Sequence, residues 1–383
     1  MKINNTSNFK ELIESNSYYL DKTYMIEELL ESKKYVTIFL RPSKYGKSLF
    51  ISMLDNFFNI QYKDTNKNLF KDLKISKSKY YQELSSKPVI VLDLKTLTQN
   101  SYDDMMNEFR NIIMRLYDSK KYILDKMDKY DYEWFSEYLN GSNNHYSTSL
   151  LRLCEWLYDY YGKQVIILVD GYDHALESAS KFGFSDMLLS FMDHMLDMTM
   201  KDNRYLEFGI VTGILRPSEP GIFGGFNNYC LYSLKDDRFN DFFGFTKEEV
   251  RKVLNEFNLV LTKEVEDMYD NDNYNPWSII NYCKTKVLKP YITLSDFIID
   301  NIKKCTDYSK EYIEKLLKDD EIYYRYDVFT SYKNIDRNVL NILFFNGFLK
   351  IITKESEYFG EETYVKLVNK EAKEYLERID ING

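Results

Sequence analysis

Tyr35-Val36-Thr37-Ile38-Phe39-Leu40-Arg41-Pro42-Ser43-Lys44-Tyr45-Gly46-Lys47-Ser48-Leu49 carries the clearest structural pattern in the chain. Residues 35–40 are apolar and β-branched, which predicts a short buried strand. A Pro-containing turn and Gly46 follow, and residues 48–58 then place apolar side chains on helical spacing. The pattern is a strand, a loop of phosphate-binding size and a helix. The usual signature of such a loop is GxxxxGK[ST]. Here Arg41 stands where the first glycine would be, and Gly46-Lys47-Ser48 is intact. Gly46 lets backbone N–H groups approach phosphate, Lys47 brings positive charge, and the Ser48 hydroxyl is suited to Mg²⁺. The positive end of the following helix points at the same anion. A bare Gly-Lys-Ser is a weak signal, and its context between strand and helix makes it strong. The competing reading is an ordinary strand-turn-helix with a surface lysine. Arg41 either replaces the glycine structurally or reaches a phosphate.

Outward from the loop, residues 88–94, 164–170 and 205–213 read as further strands. Helical periodicity covers 101–127, 147–161 and 185–200, and 9–32 with an interruption at 18–23. Alternating strands and helices predict an α/β fold, a mostly parallel sheet with helices on both faces. Ligands of such sheets bind at the carboxyl ends of the strands, where Lys47, Asp170 and Thr212 would gather. Beyond about residue 245 the pattern turns mainly helical, dividing the chain into 1–245 and 246–383. A helix over 337–345 followed by strand-like runs at 347–352 and 363–368 predicts a winged-helix-like end.

Asp170 ends a strand more than 100 residues after the loop, as a Mg²⁺-orienting carboxylate should. The alternative is an Asp that merely ends a strand. Hydrolytic proteins of this kind usually place a Glu next, but Gly171 has no side chain to position a water. Asp173, three residues on, is the remaining candidate for that role. Thr212 is placed either to sense a γ-phosphate or to bond the backbone at its strand end.

Composition narrows the function classes. A formal net charge of −9 gives no global attraction to nucleic acid, although Lys-containing stretches at 303–318 and 349–354 leave room for DNA contact. The four cysteines are scattered without a CxxC pair and only three histidines occur, which argues against structural zinc or disulfides and for a reducing compartment. The polar start Met1-Lys2-Ile3-Asn4-Asn5 lacks a signal-peptide core, and no apolar run reaches the roughly 18 residues a membrane span needs. These features predict a soluble, cytoplasmic protein without membrane contact. The 35 tyrosines read mainly as packing and surface, not as a stacking platform.

An ordered set of landmarks carries a resemblance. They are Tyr19-Leu20-Asp21-Lys22-Thr23, the loop Arg41 to Leu49, Ser52-Met53-Leu54, Phe57-Phe58, Pro88-Val89-Ile90 and Leu168-Val169-Asp170 with Tyr172-Asp173. Thr212-Gly213 with Arg216, Ile222-Phe223, Gly225-Phe226-Asn227-Asn228, Phe243-Gly244-Phe245-Thr246 and Tyr274-Asn275-Pro276-Trp277-Ser278 follow. Together they resemble the bacterial AAA-ATPase-like family of P-loop NTPases, often fused to a PD-(D/E)XK nuclease-like domain. That family's loop also lacks the first glycine. The resemblance implies ATP with Mg²⁺ as ligand, an AAA-like ATPase domain over 1–245, and a helical lid with a winged-helix-like end over 246–383. It implies nucleotide contacts from Arg41, Pro42, Ser43, Lys44, Tyr45, Gly46, Lys47, Ser48 and Leu49, and metal contacts from Ser48 and Asp170. Asp173, Thr212 and Arg216 are its candidate catalytic residues. Arg216 is either a sensor or arginine-finger-like group or a salt-bridged surface arginine.

Two departures matter. The family's Asp-Glu-Tyr-Asp is Asp170-Gly171-Tyr172-Asp173, and Glu219 stands where a Lys is usual. No nuclease core can be assigned, so no nuclease activity is expected. Asn275-Pro276-Trp277-Ser278 reads as a structural helix entry. Three functions remain: an ATP-binding switch with weak or absent hydrolysis, an active ATPase using Asp173 or a neighbouring subunit, and a degenerate DNA- or protein-interaction module. A protein partner or homo-oligomer is compatible with each.

Overall fold

The computed structural model describes residues 2–216, 229–327, 330, 332–356 and 360–379. Strands β1 (Val36–Leu40), β2 (Val89–Asp93), β3 (Val165–Asp170), β4 (Leu206–Gly213) and β5 (Tyr229–Tyr232) form one sheet in the order β2-β3-β4-β1-β5. Every neighbouring pair is parallel. Four of these strands are those the sequence predicts. β5 was not expected: it is four half-buried residues at the sheet edge, too short and too evenly wetted to show a period.

The alternation of side chains along the strands assigns the two faces. Val36, Ile38 and Leu40 join Val165, Ile167 and Val169 in one core, while Phe39, Ile166, Leu168 and Ile210 point into the other. Because both faces are covered, β1 and β3 are buried at every position and read as continuous apolar runs. The Lys47–Phe58 helix packs Phe50, Ile51, Met53, Leu54, Phe57 and Phe58 into the second core. The helices Tyr102–Asp118, Ser149–Tyr161, Tyr172–Phe182 and Ser185–Met200 contribute to the first. The helix expected over 101–127 stops at Asp118 and gives way to 3-10 turns over Lys121–Lys126. Local bonding ends it, with the Ser119 hydroxyl donating to the Leu116 carbonyl at 2.6 Å.

After Phe245 the helices Lys247–Glu256, Lys263–Tyr269 and Pro276–Thr285 enclose a core of their own, on which Ile3, Tyr18 and Leu20 from the chain start also pack. The last part holds the helices Asp296–Lys303, Asp307–Leu317 and Val339–Phe345 and a three-stranded antiparallel sheet, β6-β8-β7. Its strands are β6 (Ile322–Tyr323), β7 (Leu349–Ser356) and β8 (Gly360–Leu367), and the Lys370–Arg378 helix follows. None of the described helices is long and apolar enough to cross a membrane.

Candidate functional site

The parallel register fixes what meets at the carboxyl edge of the sheet. Leu40 pairs with Gly213, Asp170 with Thr212, and Asp93 with Asp170. The loop after β1 therefore rises beside the ends of β4, β3 and β2. Its N-terminal anchor is the Arg41 amide, which donates to the Gly213 carbonyl at 3.0 Å. Gly46 takes φ +86° as the cap of the Lys47–Phe58 helix, a conformation glycine adopts without steric cost.

A cleft of about 450 Å³ opens on this loop. Ser43, Lys44, Gly46, Lys47, Ser48 and Leu49 line one wall, Asp170, Gly171, His174 and Lys95 another, and Pro276 and Trp277 face them. An apolar cavity of about 180 Å³ adjoins it, with Tyr18, Tyr19, Phe50, Phe242 and Phe245 in its wall. The two share Asn4, Thr6, Gly46, Leu49, Pro276 and Ile280.

The sequence-predicted residues divide into those on the cleft and those behind it. Lys47 is partly buried and its Nζ donates to the Arg41 and Pro42 carbonyls, each at 2.8 Å. Burial pulls its pKa down to about 8, with Asp173 and Asp170 offsetting part of that shift. Arg41 is fully buried and does not line the cleft. Its Nη1 donates to the Leu40 and Tyr232 carbonyls at 2.9 Å each, and its Nη2 to the Phe239 carbonyl at 3.4 Å. The guanidinium lies 5.2 Å from the Phe243 ring centre, and burial lowers its pKa to about 10. Arg41 thus ties β1 to the edge strand β5. Tyr45 is buried in the wall of the adjoining cavity, and Pro42 lies beside the C-terminal module, where a Cβ added to Gly347 would stand 3.0 Å from its ring.

Asp170 and Thr212 come together, as the sheet register requires. Thr212 Oγ1 donates to Asp170 Oδ1 at 2.8 Å, so its partner is a carboxylate as well as the Val169 carbonyl at 3.4 Å. Asp173 is buried below the loop and off the cleft, and among the described residues its Oδ1 has no hydrogen-bond partner. Arg216 is buried too, not a surface arginine, with its guanidinium 5.0 Å from the Tyr229 ring centre. Glu219, Ile222-Phe223 and 225–228 lie outside the described residues.

Lys95 is the residue sequence reasoning missed. Its Nζ donates to Asp170 Oδ2 at 2.8 Å and to Ser48 Oγ at 3.0 Å, and lies 3.3 Å from Asp93 Oδ2. Burial opposes the charge on both partners, yet the Asp170 carboxylate raises the Lys95 pKa. Burial likewise works against the Asp170 carboxylate, but Lys95 and the Ser48 and Thr212 hydroxyls hold its pKa below the usual range. The available signal was positional: Lys95 follows the end of a strand adjacent to β3, so it had to emerge at the same edge. Ser48 and Asp170 are oxygen donors of the kind Mg²⁺ takes. An ammonium already bridging both competes for the same lone pairs and repels a second cation there. As folded, these residues do not fit a Mg²⁺ ion.

The Tyr19-Leu20-Asp21-Lys22-Thr23 landmark is a brace for the cavity wall. Asp21 accepts from the Thr23 amide at 2.9 Å and the Lys74 amide at 2.6 Å, and the Lys22 ammonium meets Glu249 at 2.6 Å. Asn275 caps the Pro276–Thr285 helix through the Trp277 amide, which makes the turn a helix entry as the sequence predicts. Trp277 also lines the cleft, with Lys44 Nζ 4.9 Å from its ring centre.

With this geometry in place, residues 4–223 match the family described as Predicted AAA-ATPase. The chain belongs to the AAA-ATPase-like family. The match and the P-loop sheet together make it a nucleotide-binding protein of the AAA class. No curated protein matches this AAA-ATPase-like chain in sequence. Among solved structures it is similar to a chain of Drosophila ORC bound to AT-rich DNA and Cdc6, at 11% identity and TM-score 0.27, covering 97% of this chain and 93% of that one. It is also similar to the Aeropyrum pernix ORC2 protein in ADPNP-ADP complexes, at 10% identity and TM-score 0.33, covering 94% of this chain and 91% of that one. Both are distant likenesses.

Proposed function

We propose that this AAA-ATPase-like protein binds ATP and works as a nucleotide-dependent switch with weak or absent hydrolysis. One observation carries the reading: the phosphate loop opens on a lysine-lined cleft that continues into an aromatic-walled cavity. The cleft presents Lys44, Lys47 and Lys95 to a polyphosphate, and phosphate oxygens replace the Arg41 and Pro42 carbonyls as acceptors for Lys47. The cavity offers Tyr18, Tyr19, Phe242 and Phe245 to a base. Adenine over guanine rests on the family alone.

Two features support a switch over a turnover enzyme. Gly171 gives no side chain to orient a water, and Asp173 is buried off the cleft. Pro42, whose carbonyl Lys47 would release, lies beside Gly347 of the C-terminal module, where an added Cβ would stand 3.0 Å from the Pro42 ring. That proximity gives a loop rearrangement on binding a route to the C-terminal module, which we take as the read-out.

Isothermal titration of ATP into wild type and Lys47→Ala tests the binding. Wild type should give a saturable heat that the variant lacks, and phosphate release should not exceed that of Lys47→Ala. Equal heats from the two proteins remove the site from consideration.

A further inference from the structure

We propose that Lys95 is a tethered cation of the nucleotide site, its ammonium serving bound phosphate from between Ser48 and Asp170 so that binding is largely independent of Mg²⁺. This rests on the nucleotide-binding reading above. The geometry is that of a built site. Lys95 Nζ is 2.8 Å from Asp170 Oδ2 and 3.0 Å from Ser48 Oγ, the two groups a P-loop protein otherwise offers its metal. Asp170 is held in orientation by Thr212 on its other oxygen. The Lys95 backbone is held as well, its amide donating to Asp93 Oδ1 at 3.0 Å, one residue after the Leu94 amide donates to the Asp170 carbonyl at 2.9 Å.

Asp93 and Asp170 stand side by side in the sheet register, and a cation near both relieves the repulsion between their carboxylates. Lys95 provides it from within the chain. Its side chain stays about one-third exposed and lines the cleft, so the ammonium faces the space where phosphates would lie.

Gly171 belongs to the same arrangement. A Cβ at 171 would stand 2.4 Å from Lys95 Cγ and 3.3 Å from its Cδ, and the backbone there has φ +70°. No real side chain tolerates a 2.4 Å contact without moving the neighbour. The bare position after Asp170, which costs the site its water-positioning Glu, is what lets the lysine stem lie across the strand end. A side chain at 171 and the Lys95 stem would thus compete for one space.

The test is calorimetric titration of ATP in Mg²⁺ buffer and in EDTA. Wild type should lose less than about tenfold in affinity when EDTA replaces Mg²⁺. Lys95→Met keeps the aliphatic stem and removes the charge, so it should weaken in EDTA by about tenfold or more relative to wild type and recover in Mg²⁺. Gly171→Ala, whose Cβ displaces the stem, should show the same EDTA sensitivity, and thermal melts establish that both variants fold. Wild-type binding confined to Mg²⁺ buffer overturns the inference alone. Lys95→Met binding like wild type in EDTA also overturns it. Wild type without heat in either buffer overturns the nucleotide-binding reading and this inference with it.

Discussion

Arg41→Gly would give the loop the glycine-first signature its sequence lacks, and the structure says it should harm the protein. The guanidinium is fully buried and makes two bonds of 2.9 Å, to the Leu40 and Tyr232 carbonyls, and a longer one of 3.4 Å to the Phe239 carbonyl. A hydrogen bond from a charged donor contributes about 1.5–3 kcal/mol, so the two short ones are worth about 3–6 kcal/mol. Truncating a large buried side chain adds about 2–5 kcal/mol for the cavity. Relief of the guanidinium's desolvation offsets several kcal/mol of that total. The net loss is about 3–5 kcal/mol. For a protein of this size, at roughly 2 °C per kcal/mol, the melting temperature should fall about 6–10 °C. Arg41→Met keeps most of the volume but not the bonds, and should lose about half as much. Thermal unfolding followed by circular dichroism reads both, alongside ATP titration. Arg41→Gly melting within about 2 °C of wild type would refute the tethering of β1 to β5. So would ATP affinity lost at unchanged melting temperature, because that result puts the guanidinium on a phosphate.

Restoring the missing carboxylate by Gly171→Glu alone should not raise ATP hydrolysis, because its Cβ pushes the Lys95 stem aside and leaves the ammonium free to pair with the new carboxylate; Gly171→Glu with Lys95→Ala should raise phosphate release above either single variant, and a rate gain from Gly171→Glu alone would count against that pairing. Breaking the Lys22–Glu249 pair, 12% and 13% exposed, by Lys22→Met should cost about 1.5–3 kcal/mol, because Glu249 loses its ammonium partner but keeps the Thr246 amide at 2.9 Å. Lys22→Met with Glu249→Gln should recover much of that in a double-mutant cycle of melting temperatures, and additive losses would show the two residues uncoupled. Glu371 is buried under the Ser278 hydroxyl at 2.8 Å and the Tyr291 amide at 2.7 Å, and burial raises its carboxyl pKa from 4.5 to about 7. The folded chain therefore holds a proton that the unfolded chain releases, and its contribution to stability is full below pH 4.5 and is lost as pH rises through about 7. Glu371→Gln should remove that part of the slope, gaining more at pH 8 than at pH 5 in thermal melts; an equal change at both would show that the carboxyl does not titrate in this window.

Much of the site was legible because its signals are local. Strand, loop and helix follow one another within residues 35–58, and their periodicities depend only on side-chain burial along a short segment. β3 was equally plain, since a strand buried on both faces is apolar throughout until Asp170 ends it. The edge strand β5 and the helix from Tyr172 were hidden, the first by its half-exposure and the second by a short, mixed sequence opening at Gly171.

The parallel α/β architecture, the position of the phosphate loop and the absence of a carboxylate after Asp170 can all be read from the sequence alone. The fold is legible there because backbone geometry forces burial patterns of period two and 3.6 onto the chain. The roles of Arg41 and Lys95 follow from the folded arrangement instead. Arg41 turns inward because carbonyls almost 200 residues away, at Tyr232 and Phe239, close around it. Lys95 reaches Ser48 and Asp170 because β2 lies beside β3, a neighbour relation set by the strand order of the sheet and written in no single segment.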